Sequence, residues 1–129
     1  MNKYVVGMGC RKSKDPKELE EYFFEVLKQL DIDIIEVISL VSIDVKKEEE
    51  AFVLLSDKYN IPFITYSAQE LADVEGDFEK SEFVKNTVGV SDVSARAAKA
   101  CGIYGEFVLK KDKRNGMTIS VFKIDELEN

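Results

Sequence analysis

The sequence predicts an α/β protein, a three-layer α/β/α arrangement built on a mixed, mainly parallel sheet that closes with a C-terminal β-hairpin. Three observations carry this expectation. Short runs of β-branched and aromatic residues alternate with helix-patterned stretches from the start of the chain. The run Val37 to Ile43 is apolar enough to be buried on both sides, as a parallel strand covered by helices must be. Near the end, Asn115-Gly116 separates two alternating segments, and such a dipeptide is a strong tight-turn signal.

Each element can be justified in order. Lys3 to Met8 reads as the first strand, with Gly7 and Gly9 loosening the backbone as it ends. The helix that follows has Asp15 as N-cap, Pro16 at its first position and Glu18 placed for a capping-box-like pair, with Leu19, Phe23, Val26, Leu27 and Leu30 on one face. After the second strand, a helix from about Glu48 to Tyr59 turns Ala51, Phe52, Leu54 and Leu55 inward, and Asn60 stops it before Pro62. Phe63 to Tyr66 is the third strand. Ser67 and Glu70 form a capping box for a short helix, Ala68 to Asp73. Ser81 and Ser91 are each placed to cap a further helix; the Ala-rich stretch from Asp92 to Cys101 has high helix propensity, with Gly102 to end it. Glu106 to Lys110 and Met117 to Ile124 make the hairpin.

A chain of 129 residues with 45% hydrophobic composition supports one core, so residues 1–129 are read as a single domain. The sequence has no apolar run of about 18 residues and no signal-peptide pattern, so no membrane role and a cytoplasmic location are expected. Cys10 and Cys101 are too few and too far apart for a disulfide framework. The formal net charge of −7 argues against nucleic acid as a partner, because binding phosphates needs surplus Lys and Arg. Histidine is absent, which excludes Ser-His-Asp and Cys-His arrangements and His-based metal sites within the chain. Proton transfer falls to Asp, Glu, Lys, Tyr, Cys or bound water.

Ligands of open α/β sheets lie beyond the carboxyl ends of the strands. The segments to inspect are therefore Gly9 to Lys14, Asp44 to Glu48 and Ser67 to Glu70, which should lie near one another. The first joins a strand to a helix start and carries Arg11, Lys12 and Lys14, suited to a carboxylate or phosphate. It has neither P-loop nor dinucleotide-fingerprint spacing, and a plain glycine-eased turn with a solvated basic helix start reads equally from these residues.

The segment Gly7-Met8-Gly9-Cys10-Arg11-Lys12 after a first strand is similar to the opening GxGCRK signature of the CobE family, which includes the C-terminal domain of the cobalt-precorrin 5A hydrolase CbiG. Further matches follow in order: Ser42 to Lys46 with Glu48, Tyr66 to Leu71, Ser81 to Val84 with Thr87 to Val90, Val93 to Ala98, and Lys110-Lys111 with Asn115 to Thr118. The resemblance covers nearly the whole chain. Two positions depart from it: Ser13 stands where many relatives have glycine, and Ala95 where they have glutamate.

The resemblance implies a part in building the corrin ring of cobalamin. The hydrolase opens a δ-lactone on cobalt-precorrin 5A with release of acetaldehyde; other members are stand-alone CobE-type proteins, for which a non-catalytic role in binding or delivering corrinoid intermediates is the alternative. A cobalt-corrinoid intermediate is the implied ligand, N-terminal hydrolase domains or other pathway enzymes are implied partners, and cobalt is expected only as part of the substrate, with no cofactor or metal of the protein's own.

Such intermediates carry acetate and propionate groups around a flat apolar ring, which cations and helix starts should hold. Candidate binding residues are Gly9, Cys10, Arg11, Lys12, Lys46 and Ser67, with a further basic cluster at Lys110, Lys111, Lys113 and Arg114. Lactone opening needs a base and an oxyanion donor. Asp44 or Glu48 is the candidate base, and the Gly9 to Arg11 amides are the candidate donors. Asp44 reads equally as a helix cap, Ser67 with Glu70 as a capping box, and Cys10 either as a nucleophile or as a small residue packed in a turn.

Overall fold

The computed structural model describes residues 1–78 and 90–126. In chain order the elements are β1 (Tyr4–Cys10), α1 (Pro16–Gln29), β2 (Val37–Ile43), α2 (Glu50–Tyr59), β3 (Phe63–Tyr66), α3 (Ala68–Ala72), α4 (Val93–Gly102), β4 (Gly105–Arg114) and β5 (Met117–Ile124), with single 3-10 turns at Ile34–Glu36 and Asp44–Lys46. The expected cap at Ser81 lies outside the described residues.

The strands form one sheet in the order β3-β2-β1-β5-β4. β1 pairs with β2, and β2 with β3, in parallel; β5 runs antiparallel to both β1 and β4. Only β5 opposes the common direction, so the sheet is mixed and mainly parallel, as the sequence predicts.

Alternation along the strands feeds two cores. Val6, Met8, Leu40, Met117, Ile119 and Val121 face α1 and α2, where Leu19, Tyr22, Phe23, Phe52 and Leu55 meet them. Val5, Val41, Ile43 and Phe122 face the other way, onto Leu71 of α3 and Ala97 and Ala98 of α4. The three layers are thus present.

Local departures have physical causes. The Asp15 side chain accepts from the Lys17 amide at 3.0 Å, but Glu18 closes no capping box; its carboxylate takes a hydrogen bond from the Asn115 side chain at 3.1 Å and ties α1 to the hairpin turn. Leu54 stays 44% exposed, because α2 starts at Glu50 and buries Ala51, Phe52 and Leu55 instead. The N-cap of α4 is Asp92, in the left-handed region at φ 51°, rather than Ser91. Gly102 is the last residue of α4 and is needed for packing: a Cβ there would lie 2.3 Å from the Phe122 ring, while the positive φ of 64° falls on Ile103. β4 runs on to Arg114, which an edge strand tolerates because its charged side chains reach water.

Candidate functional site

The site forms where β1 meets β5 rather than between β1 and β3. Gly9 faces Thr118 and Cys10 faces Met117 across the antiparallel ladder, and the Arg11 amide donates to the Gly116 carbonyl at 3.1 Å, so the first loop is bound to the hairpin turn. α4 is pressed onto the same strand. A Cβ on Gly7 would sit 1.9 Å from the Ser94 carbonyl oxygen, so only glycine admits the helix start at this distance. Ser94 and Ser120 hydroxyls lie 2.8 Å apart; Ser120 donates to the Lys110 carbonyl at 2.6 Å, which leaves Ser94 as the donor between them.

These contacts enclose a cleft of about 690 Å³ between the Gly9–Arg11 loop, the Asp44–Lys46 turn, the start of α4 and the β4–β5 hairpin. Arg11, Lys46, Lys111, Lys113 and Arg114 line it, with Asp92 as the one acid among the described lining residues. The cleft is therefore a locally positive region on a chain of net charge −7. Part of that charge is engaged. Lys111 pairs with Asp92 at 2.8 Å, and Arg114 pairs with Glu25 while its guanidinium lies 4.8 Å from the centre of the Tyr22 ring.

At the floor, the Cys10 thiol donates to Glu49 Oε1 at 3.8 Å, and Lys46 Nζ is 3.9 Å from the same oxygen. Burial pushes the Cys10 thiol pKa up; Lys46 pulls it down and Glu49 raises it again. The thiol is thus favoured over the thiolate, the opposite of an activated nucleophile.

Of the residues singled out in the sequence, Gly9, Cys10, Arg11 and Lys46 come together at the cleft. Lys12, Asp44 and Glu48 are exposed and do not line it. Ser67 lies one strand further away, where its hydroxyl accepts from the Glu70 amide at 3.0 Å and its own amide donates to Glu70 Oε1 at 2.9 Å, a complete capping box. Lys110 turns out of the cleft towards Asp77. Sequence reasoning missed Glu49 and Asp92. The spacing Lys46-x-x-Glu49 was the available signal for the first, since residues three apart share a side of a helical turn.

A model of the family described as cobalamin synthesis G C-terminus matches residues 4–122. The chain belongs to this family. Among curated relatives, the cobalt-precorrin-5A hydrolase of Priestia megaterium is 32% identical over 117 residues, covering 91% of this chain and 31% of that protein. The cobalt-precorrin-5A hydrolase of Salmonella typhimurium strain LT2 is 30% identical over 117 residues, covering 91% of this chain and 33% of that protein. The chain spans about a third of the length of these relatives. In fold it is similar to the crystal structure of CobE, a protein from the cobalamin (vitamin B12) biosynthetic pathway, with a TM-score of 0.82 at 21% identity over 96% of this chain and 92% of that one.

In this cobalamin synthesis G C-terminus domain, the Gly7 to Lys12 signature has a structural reading residue by residue. Gly7 admits α4, Gly9 admits Thr118, whose hydroxyl would be 2.7 Å from a Cβ, and Cys10 and Arg11 form the edge of the cleft. Ala95 is buried in α4. Among the described residues no group of three or more His, Cys, Asp or Glu stands together as a metal site, and no helix is long and apolar enough to cross a membrane.

Proposed function

We propose that this domain binds a cobalt-corrinoid intermediate of cobalamin biosynthesis, cobalt-precorrin 5A, in the cleft between β1 and the β4–β5 hairpin, and takes part in opening its δ-lactone with loss of acetaldehyde. The observation that carries the reading is the cationic cleft at the family signature, on an otherwise acidic chain. Its volume lies within the range of roughly 300–1,000 Å³ typical of small-molecule sites. Arg11, Lys46 and Lys113 supply charge for the carboxylates of the rim. Cobalt enters only as part of the substrate. Domains like those that make up the rest of the curated hydrolases are the natural partners in catalysis, either on the same chain or on another.

One group of observations favours a second reading, binding or delivery without turnover. Asp44 and Glu48 do not line the cleft, and the Arg11 amide is already committed to Gly116, so it offers no hydrogen bond to an oxyanion. Titration of the purified chain with cobalt-precorrin 5A, followed by absorption and by an acetaldehyde assay, separates the two. Binding that weakens at least tenfold in Arg11→Ala, with acetaldehyde released, supports the hydrolase reading; binding without release supports delivery. No spectral change at any ratio rules out the cleft as a corrinoid site.

A further inference from the structure

The charge run Lys46-Lys47-Glu48-Glu49-Glu50 reads in sequence as a solvated surface stretch, but in the fold three of its members face water and two turn inward. Lys47, Glu48 and Glu50 are exposed. The 3-10 turn, with the Lys47 amide on the Asp44 carbonyl and the Glu49 amide on the Lys46 carbonyl, both at 3.0 Å, turns Lys46 and Glu49 inward together. Their side chains keep only 20% and 5% of their surface. Glu49 occupies the N-cap position of α2 yet makes no capping hydrogen bond with its side chain. Ordinary helix capping therefore does not explain a carboxylate buried there; what it meets is the Lys46 ammonium at 3.9 Å and the Cys10 thiol at 3.8 Å, across from a different strand.

We propose that Glu49 is a positioning residue of the cleft: its buried carboxylate holds the Lys46 ammonium at the cleft floor, where Lys46 takes up a carboxylate group of the ligand. Glu49 does not line the cleft and Lys46 does, so the acid acts through the lysine. This places a ligand-facing role on Lys46 and a supporting one on Glu49, and leaves Cys10 as a neutral hydrogen-bond donor that reports on both. The inference deepens the proposed function and rests on it for the identity of the ligand alone.

The test needs no corrinoid at its first stage. Alkylation of Cys10 by iodoacetamide, read as a function of pH by mass spectrometry of the Cys10 peptide so that Cys101 does not interfere, should shift to lower pH in Glu49→Gln, where an anion beside the thiol is lost. It should shift to higher pH in Lys46→Met, where a cation is lost. A mispacked floor would move both profiles the same way, so opposed shifts separate an electrostatic pair from a merely structural role. Identical profiles in all three proteins overturn the proposal. At the second stage, benzenehexacarboxylate, a flat polycarboxylate, is titrated by NMR at the amides of the first loop. Loss of one charge-assisted contact should weaken it about tenfold in either variant, and the double variant should be no weaker than either single one. Equal or tighter binding in Glu49→Gln overturns the proposal, since the acid would then only compete with the ligand, and so does a wild-type protein that binds neither polycarboxylate nor cobalt-precorrin 5A. A protein that binds benzenehexacarboxylate with this dependence but ignores cobalt-precorrin 5A keeps the positioning role and discards the corrinoid reading.

Discussion

At the scale of single residues, the side chains that shape the molecule are those whose polar atoms are buried with a partner. Tyr22 is 1% exposed and donates to Asp112 at 2.6 Å, joining α1 to β4. Burial, and then the hydrogen bond to the Asp112 carboxylate, raise the phenol pKa well above its ordinary value. The folded state therefore holds this proton more tightly than the unfolded chain. The stabilisation is fully present below the unfolded tyrosine pKa of about 10 and is lost as pH rises beyond it. Urea unfolding should find Tyr22→Phe less stable than wild type by about 1–2 kcal/mol at pH 8, with the gap narrowing by about pH 11; a gap independent of pH would mean that the phenol ionises as readily in the folded state as in the unfolded one. Residue by residue, the sequence was legible where the local chain decides. Asp15 and Ser67 cap the helices they precede, and Asn60 takes the left-handed conformation, φ 54°, expected of a helix stop. It was illegible where a distant partner decides. Glu18 has the spacing of a capping box but bonds Asn115, and Glu49 sits in a charge run but turns inward to a thiol from another strand.

Among elements, β2, β3 and β5 occupy the spans their hydrophobic patterns predict, Val37–Ile43, Phe63–Tyr66 and Met117–Ile124. The hairpin turn is equally plain, since Asn115 and Gly116 both take positive φ, 50° and 76°. What the pattern does not contain is which strand lies beside which. The expectation that the Ser67 segment joins the site assumed that the parallel strands alone surround it, whereas β5 inserts next to β1 and moves the cleft to that junction. The seat of α4 on β1 is the contact on which this junction depends. Gly7→Ala would drive a methyl group into the Ser94 carbonyl and should cost roughly 2–4 kcal/mol, at the upper end for overpacked sites. Chemical denaturation measures this directly, and a variant within about 0.5 kcal/mol of wild type would show that α4 can lift away without loss. Because Ser94 also lines the cleft, the same variant should weaken ligand binding while leaving the α1 and α2 face intact.

For the molecule as a whole, the fold class, the two helical layers and the membership of the cobalamin synthesis G C-terminus family all follow from patterns spread along the chain. The strand order carries one more consequence. β5 comes last in sequence but stands inside the sheet, paired on one side with β1 and on the other with β4. Until residues 117–124 have emerged from the ribosome, β1 has a bare edge, β4 has no neighbour, and both hydrophobic cores lack their share of Ile119, Val121 and Phe122. A chain ending at Gly116 should therefore show no cooperative thermal transition by circular dichroism, although it contains every helix described here; a sharp melt in that truncated chain would mean that three parallel strands suffice. Synthesis runs from the first strand outward, whereas assembly waits for the strand that arrives last. While it waits, the growing polypeptide carries at β1 a row of unpaired N–H and C=O groups, a template on which a neighbouring nascent chain could pair in place of its own last strand.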